Sequence, residues 1–158
     1  MLIPGMNELP PTGRVAGIDF GTVRIGIAVS DPGRLIATAV ENYTRSGIDA
    51  DARRFRRLVE EEEIVLFVVG LPLHLSGDES AMSSEARQFG QWITETTGMP
   101  VVYHDERLTS FEAEEMLLSA ELSRKKRKKR LDMLAAQRIL AGWIDSQRKP
   151  TPDQSSEG

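Results

Sequence analysis

The chain of 158 residues contains no cysteine, so disulfides, thiolate metal sites and cysteine nucleophiles are all excluded. The absence also fits a reducing compartment. No stretch approaches the ~20 apolar residues of a membrane span, and the opening MLIPGMNELPPTGR lacks the charged start and sustained apolar run of a secretory signal. A cytoplasmic protein without a membrane partner is the expectation. Histidine is nearly missing too: His74 and His104 are the only two and form no recognisable metal pair, so both read as non-ligands. Aromatic residues make up 6% of the chain, and none interrupts its one dense cationic run, so that run is no base-stacking platform.

What is present is unevenly distributed. Formal net charge is −4, yet residues 124–130 read RKKRKKR, and taking those seven cations away leaves the remainder at −11. A dense local charge steers a polyanion more effectively than the average suggests. Arg124, Lys125, Lys126, Arg127, Lys128, Lys129 and Arg130 are therefore candidate phosphate contacts, giving affinity without sequence reading. A solvated, mobile charge run is the bland alternative.

Proline and glycine mark residues 1–13 as a flexible leader, and the composition from 148 to 158 is that of a disordered tail. Residues 14–147 read as one domain. Val15–Phe20 and Arg24–Ser30 form a hairpin, and Ile36–Tyr43 is a third strand after the Asp31-Pro32-Gly33 turn. Asp49–Glu62 is a helix with Ala52, Phe55 and Leu58/Val59 inward. Ile64–Val69 is a strand buried on both faces. Met82, Ala86, Phe89 and Ile93 recur at helical spacing up to Gly98, and Val101–His104 is a fifth strand. Thr109 and Glu112 make a capping box that opens a helix through about Ala120. Leu131, Leu134, Ala135 and Ile139 form the inner stripe of a last helix. Three meandering strands followed by α/β crossovers give a mixed five-stranded α/β sheet flanked by helices.

Within AGIDFGTVRIGIAVSD, the odd residue is Asp19, a carboxylate at the end of an apolar strand. Unpaired, it would be costly to desolvate. Glu106 follows the fifth strand and Asp132 begins the last helix, so three carboxylates stand where elements start or stop and can converge at one sheet edge. Such hard oxygen donors suit Mg²⁺ or Mn²⁺, which can activate a water and neutralise a leaving oxygen. Each acid also has an ordinary reading: Asp19 as acceptor from the Gly21–Thr22 turn, Glu106 as partner of Arg107 or another surface cation, Asp132 as a helix-start residue. Asp105 competes with Glu106, and alternation cannot decide at a strand end. Arg24, a cation on an apolar strand, is a candidate phosphate contact or an edge-strand ion-pair partner. Arg107 and Thr22 are candidate substrate contacts, and GLPLHLSG over 70–77 is a candidate groove lining, or a rigid turn set by Pro72.

Four blocks, GIDFGTVRIGIAVSD, VVGLPLHLSG, DERLTSFEAE and SRKKRKKRLDMLAAQRIL, together resemble the YqgF family of small RNase H-like proteins, named for Holliday-junction resolution and pre-16S rRNA cleavage. The blocks fall in the family's order from about Val15 to Ile139. The resemblance implies an RNase H-like fold and a metal-dependent nuclease whose acidic cluster is Asp19, Glu106 and Asp132. It also implies nucleic acid as partner, with pre-ribosomal RNA favoured and branched DNA as the alternative. His74 stands where the family commonly has asparagine. A non-catalytic RNA-binding assembly factor is a further reading. GIDFGT is also similar to the phosphate loop of actin-like ATPases and sugar kinases, which need a second domain that this chain does not offer.

Overall fold

The structure, a computed structural model, describes residues 9–74, 76–108 and 124–148, with side chains undescribed at 108 and 124–133. Five strands, β1 (Arg14–Asp19), β2 (Arg24–Ser30), β3 (Ala37–Thr44), β4 (Ile64–Leu71) and β5 (Val101–Asp105), form one sheet in the order β3-β2-β1-β4-β5. β1 pairs antiparallel with β2, and β2 with β3, whereas β1–β4 and β4–β5 are parallel. The meander followed by crossovers is thus the arrangement expected. The carboxyl ends of β1, β4 and β5 share one edge, the edge at which α/β sheets place their ligands.

Helices cover both faces. α1 (Ile48–Glu62) and α2 (Ala81–Thr97) pack on one face over Ile18, Ile25, Ile27, Phe67 and Val69, while α3 (Arg124–Arg148) lies on the other over Val15, Ala28, Leu66 and Val68. Alternate residues of β1 and β4 serve the two cores, which is why both strands are apolar at nearly every position. α2 opens on a reciprocal Ser80–Ser83 capping box and closes on Gly98 in the left-handed conformation.

Several inward positions differ from the periodicity reading. In α1 it is Asp51, rather than Ala52, that is fully buried with Phe55 and Leu58. Its carboxylate accepts from Tyr43 Oη (2.8 Å), Arg45 Nε (3.0 Å) and Ser46 N (3.1 Å), which satisfies the buried charge. In α2 Met82 is exposed. In α3 the sheet-facing stripe is Ala136, Ile139, Leu140, Trp143 and Ile144, while Leu134 and Ala135 are half-buried. Residues 10–13 of the expected leader are held to the domain: the Arg34 guanidinium donates to the Pro10, Thr12 and Gly13 carbonyls. The helix expected from Thr109 to Ala120 lies outside the described residues.

Candidate active site

Register sets the site. Asp19 pairs with Gly26, and Gly26 with Asn42, so the three residues form a row across β1, β2 and β3. On the other side of Asp19, Ile18 pairs with Val69, which puts Gly70 beside it, and Gly70 pairs in turn with His104. The carboxylate therefore sits between two glycines. Neither glycine contributes a side chain, so the row is a trough with Asp19 in its middle. At Gly70 the space is already claimed: an added Cβ would lie 3.1 Å from Glu106 Oε2 and 2.5 Å from Ile139 Cδ1. At Gly26 it is open, a cavity of about 380 Å³ that Asp19, Thr22, Arg24 and Asn42 help to line.

Glu106 reaches this trough from a 3-10 turn, Glu106–Leu108, immediately after β5. Its burial, then the nearby Asp19 carboxylate, push its carboxyl up to about 7, with Arg138 opposing the shift. The competition between Asp105 and Glu106 is resolved by their partners. Asp105 is taken by Arg107, whose backbone N–H (2.9 Å) and Nε (3.0 Å) both donate to Oδ1. That bond holds Asp105 below the usual carboxylate range, whereas Glu106 turns toward Asp19. Among the described residues no ion pair joins Glu106 to Arg107, and the cation that bears on Glu106 is Arg138.

Arg24 lies on an interior strand, so the edge-strand reading fails, and among the described residues none of the ion pairs includes it. It lines the same cavity as Asp19. Arg107, expected at substrate, is engaged with Asp105 and lies 3.5 Å from where a Cβ would stand on Gly77, so it braces the loop after β4. The turn Gly21–Thr22 is as tight as its sequence suggests: a Cβ at Gly21 would meet the Arg24 carbonyl at 2.3 Å.

Asp132 does not begin its helix. α3 starts at Arg124, so residue 132 lies in the third turn and the cations 124–130 form the first two. The dipole explanation of Asp132 is removed with that finding. The direction of α3 is fixed farther along. Trp143 and Ile144 pack in the same core as Val15 and Leu66, and Leu140 with Ala136 crosses Gly17. Successive turns toward the helix N-terminus thus advance along β1 toward Asp19, and position 132 is one turn beyond Ala136 on the same stripe. The side chain of Asp132, like those of residues 124–130, lies outside the described residues. Among the described residues no group of three metal-ligating side chains occurs.

His104 is buried with Nε2 against Gly142 of α3, where a Cβ would sit 2.9 Å away. Burial lowers its pKa, as befits a packed imidazole. Composition and spacing gave no hint of Asn42 or Met82 in the cavity. Only the cross-strand register reveals Asn42, because the β2–β3 bulge at Ile27/Ala28 shifts its alignment.

Residues 13–146 match the RuvX family, described as "Holliday junction resolvase". A Rhodopirellula baltica protein named "Putative pre-16S rRNA nuclease" is 42% identical over 142 residues, covering 90% of this chain and 82% of its own. A Rhizobium meliloti protein of the same name is 43% identical over 139 residues, 88% of this chain and 84% of its own. Among solved structures, Thermus thermophilus RuvC in complex with a Holliday junction substrate superposes with a TM-score of 0.54 at 16% identity, covering 86% of this chain and 97% of that one, which establishes the shared RNase H-like fold. With the four sequence blocks and the strand order in agreement, the chain belongs to the RuvX (YqgF) family and is a nuclease, a hydrolase of phosphodiester bonds.

Proposed function

We propose that this protein is a divalent-cation-dependent nuclease acting in the cytoplasm on pre-16S ribosomal RNA, in maturation of its 5′ end. The observation that carries the reading is the meeting of Asp19 and Glu106, from the ends of β1 and β5, where Gly70 leaves room for the Glu106 carboxylate and Gly26 borders the open cavity. Two hard carboxylates set against each other in a half-buried site are a donor set that fits Mg²⁺ or Mn²⁺. Asp19 and Glu106 would hold the ion, with Asp132 as third ligand from α3. When bound, such an ion lowers the pKa of a water and neutralises charge on the leaving oxygen.

The chain's own residues do the rest. Arg24, on the wall of the cavity, orients the scissile phosphate by hydrogen bonds from its planar fork. Thr22 and Asn42 offer further polar contacts to the strand on the same wall. The Glu106 carboxyl, pushed up to about 7 by burial and then by Asp19, would give up its proton on holding a cation. The cations 124–130, leading into position 132 on the same helix, bind the flanking phosphates.

The names of the curated relatives support ribosomal RNA, while the family description and the resolvase fold favour branched DNA as a second reading. Cleavage of a precursor rRNA fragment and of a four-way DNA junction is compared for wild type, Asp19→Asn and Glu106→Gln, in Mg²⁺, in Mn²⁺ and in chelator. Wild type cuts the precursor faster than the junction, and each variant loses at least ~10²-fold, since loss of outer-shell support alone costs 10–100-fold at metal sites. Wild-type rates in Asp19→Asn would sink the catalytic assignment. Salt-sensitive RNA binding without cleavage in any cation would instead leave a non-catalytic assembly factor.

A further inference from the structure

A second groove lies on the opposite face of the β1 end. Phe20 follows Asp19 directly and packs with the α1/α2 core, away from the acid trough. Its ring centroid is 5.0 Å from that of Phe89, which is 5.5 Å from Trp92, so three rings line up along the floor of an open cavity of about 340 Å³. Arg45 covers Phe20 with its guanidinium 5.5 Å from the ring centroid and is fixed there by its Nε bond to Asp51. Exposed Glu85 and Gln88 form the polar rim. Thr22 lines both this groove and the cavity of Asp19, so the two meet at one turn of backbone.

The chemistry selects the occupant. A phosphate is disfavoured, because the one cation among the described lining residues, Arg45, is already paired with Asp51 and Glu85 adds a negative charge. A planar heterocycle fits: Trp92 and the Arg45 guanidinium offer stacking faces, and the rim offers an amide and a carboxylate to a base edge. We propose that this groove is a nucleobase subsite, which takes an unpaired base of the substrate strand within a nucleotide or two of the scissile phosphate. A carboxylate on the rim accepts from exocyclic amino groups, so bases carrying one are favoured over uracil. The inference rests on the nuclease reading for its substrate and adds that the strand must be unpaired beside the cut.

Trp92 provides the probe. The chain has two tryptophans, and Trp143 lies on the opposite face against α3's core. In full-length protein carrying Trp143→Phe, emission therefore reports Trp92. The protein is titrated in chelator with a single-stranded RNA oligonucleotide and with the same oligonucleotide made abasic at successive positions, affinity being measured in parallel by filter binding. The expected result is quenching by the intact strand, loss of quenching for one abasic position, and about tenfold weaker binding for that strand and for Trp92→Leu. Equal quenching by every abasic strand, or undiminished affinity of folded Trp92→Leu, overturns the subsite alone. Absence of binding by any strand overturns the subsite together with the nucleic-acid reading. Glu85→Ala, a surface change that leaves folding intact, is expected to erase the preference for amino-bearing bases; an unchanged preference overturns that part.

Discussion

Two titrating side chains on neighbouring elements act with opposite signs on the metal-free protein. Glu106 has a folded pKa of about 7, above the ordinary 4.5, because of burial and then Asp19. Its folded form therefore holds a proton that the unfolded chain releases, and stability falls as pH rises from about 4.5 through 7. His104 has a pKa lowered by burial, so the folded form refuses a proton that the unfolded chain takes up, and stability falls as pH drops below the ordinary value of 6.5. The two windows overlap below pH 6.5 and oppose each other, so urea unfolding across pH 5–8 separates them only through variants. In Glu106→Gln stability rises with pH up to about 6.5, in His104→Gln it falls with pH up to about 7, and Asp19→Asn relieves part of the Glu106 effect by removing a like charge. Mn²⁺ at pH 8 stabilises wild type but neither acid variant, by mass action on the folded state. A pH profile of Glu106→Gln identical to that of wild type would mean that its carboxyl titrates as an ordinary exposed one. Burial and contact decide these behaviours, and neither is written in local spacing. Asp105 and Glu106 look equivalent in DERL; only the Arg107 bond, which folds back over two residues, tells them apart.

At the scale of elements, the strands were legible because their apolar residues are β-branched and bounded by turns. β2 matches its expected limits, while β1 begins and ends one residue earlier, β3 is displaced by one residue, and β4 and β5 run slightly longer. The helices were legible in place but not in facing. Asp51 and Met82 invert the simple pattern, one because three donors satisfy it inside, the other because α2 begins at the rim of the Asp19 cavity. α3 was read as starting at Asp132, after the seven consecutive cations, yet the helix runs through them, although cations are disfavoured in a first turn. Its seat on the sheet depends on Gly17, where an added Cβ would approach Leu140 Cβ to 2.6 Å and the Ala136 carbonyl to 3.0 Å. Backbone cannot yield there as a flexible side-chain tip would. Gly17→Ala is expected to cost about 1–3 kcal/mol by overpacking and, on the role proposed for Asp132, to lower cleavage as α3 lifts. Thermal unfolding with a parallel cleavage assay tests this, and full activity in the folded variant would disconnect α3 from the chemistry.

For the whole molecule, the charge arrangement works against the fold and for a polyanion. Cations spaced four apart in the first two turns of α3 repel by a few tenths of a kcal/mol per pair, and they stand at the helix end where the dipole favours anions. The remainder of the chain is acidic, with its central carboxylate pair in the trough. Such a distribution is stabilised when phosphates lie along the start of α3, so substrate would bind with its backbone on this helix and one phosphate led down to Asp19. Replacing Lys125, Lys126 and Lys128 by glutamine is therefore expected to raise the stability of free α3 slightly while weakening binding to RNA and DNA alike. The logarithm of affinity against the logarithm of salt should lose roughly one unit of slope for each phosphate contact removed. Cleavage at saturating substrate should persist, because the acids are untouched. A salt slope equal to wild type in the triple variant would return the cationic run to a solvated surface and leave Arg24 to carry substrate binding.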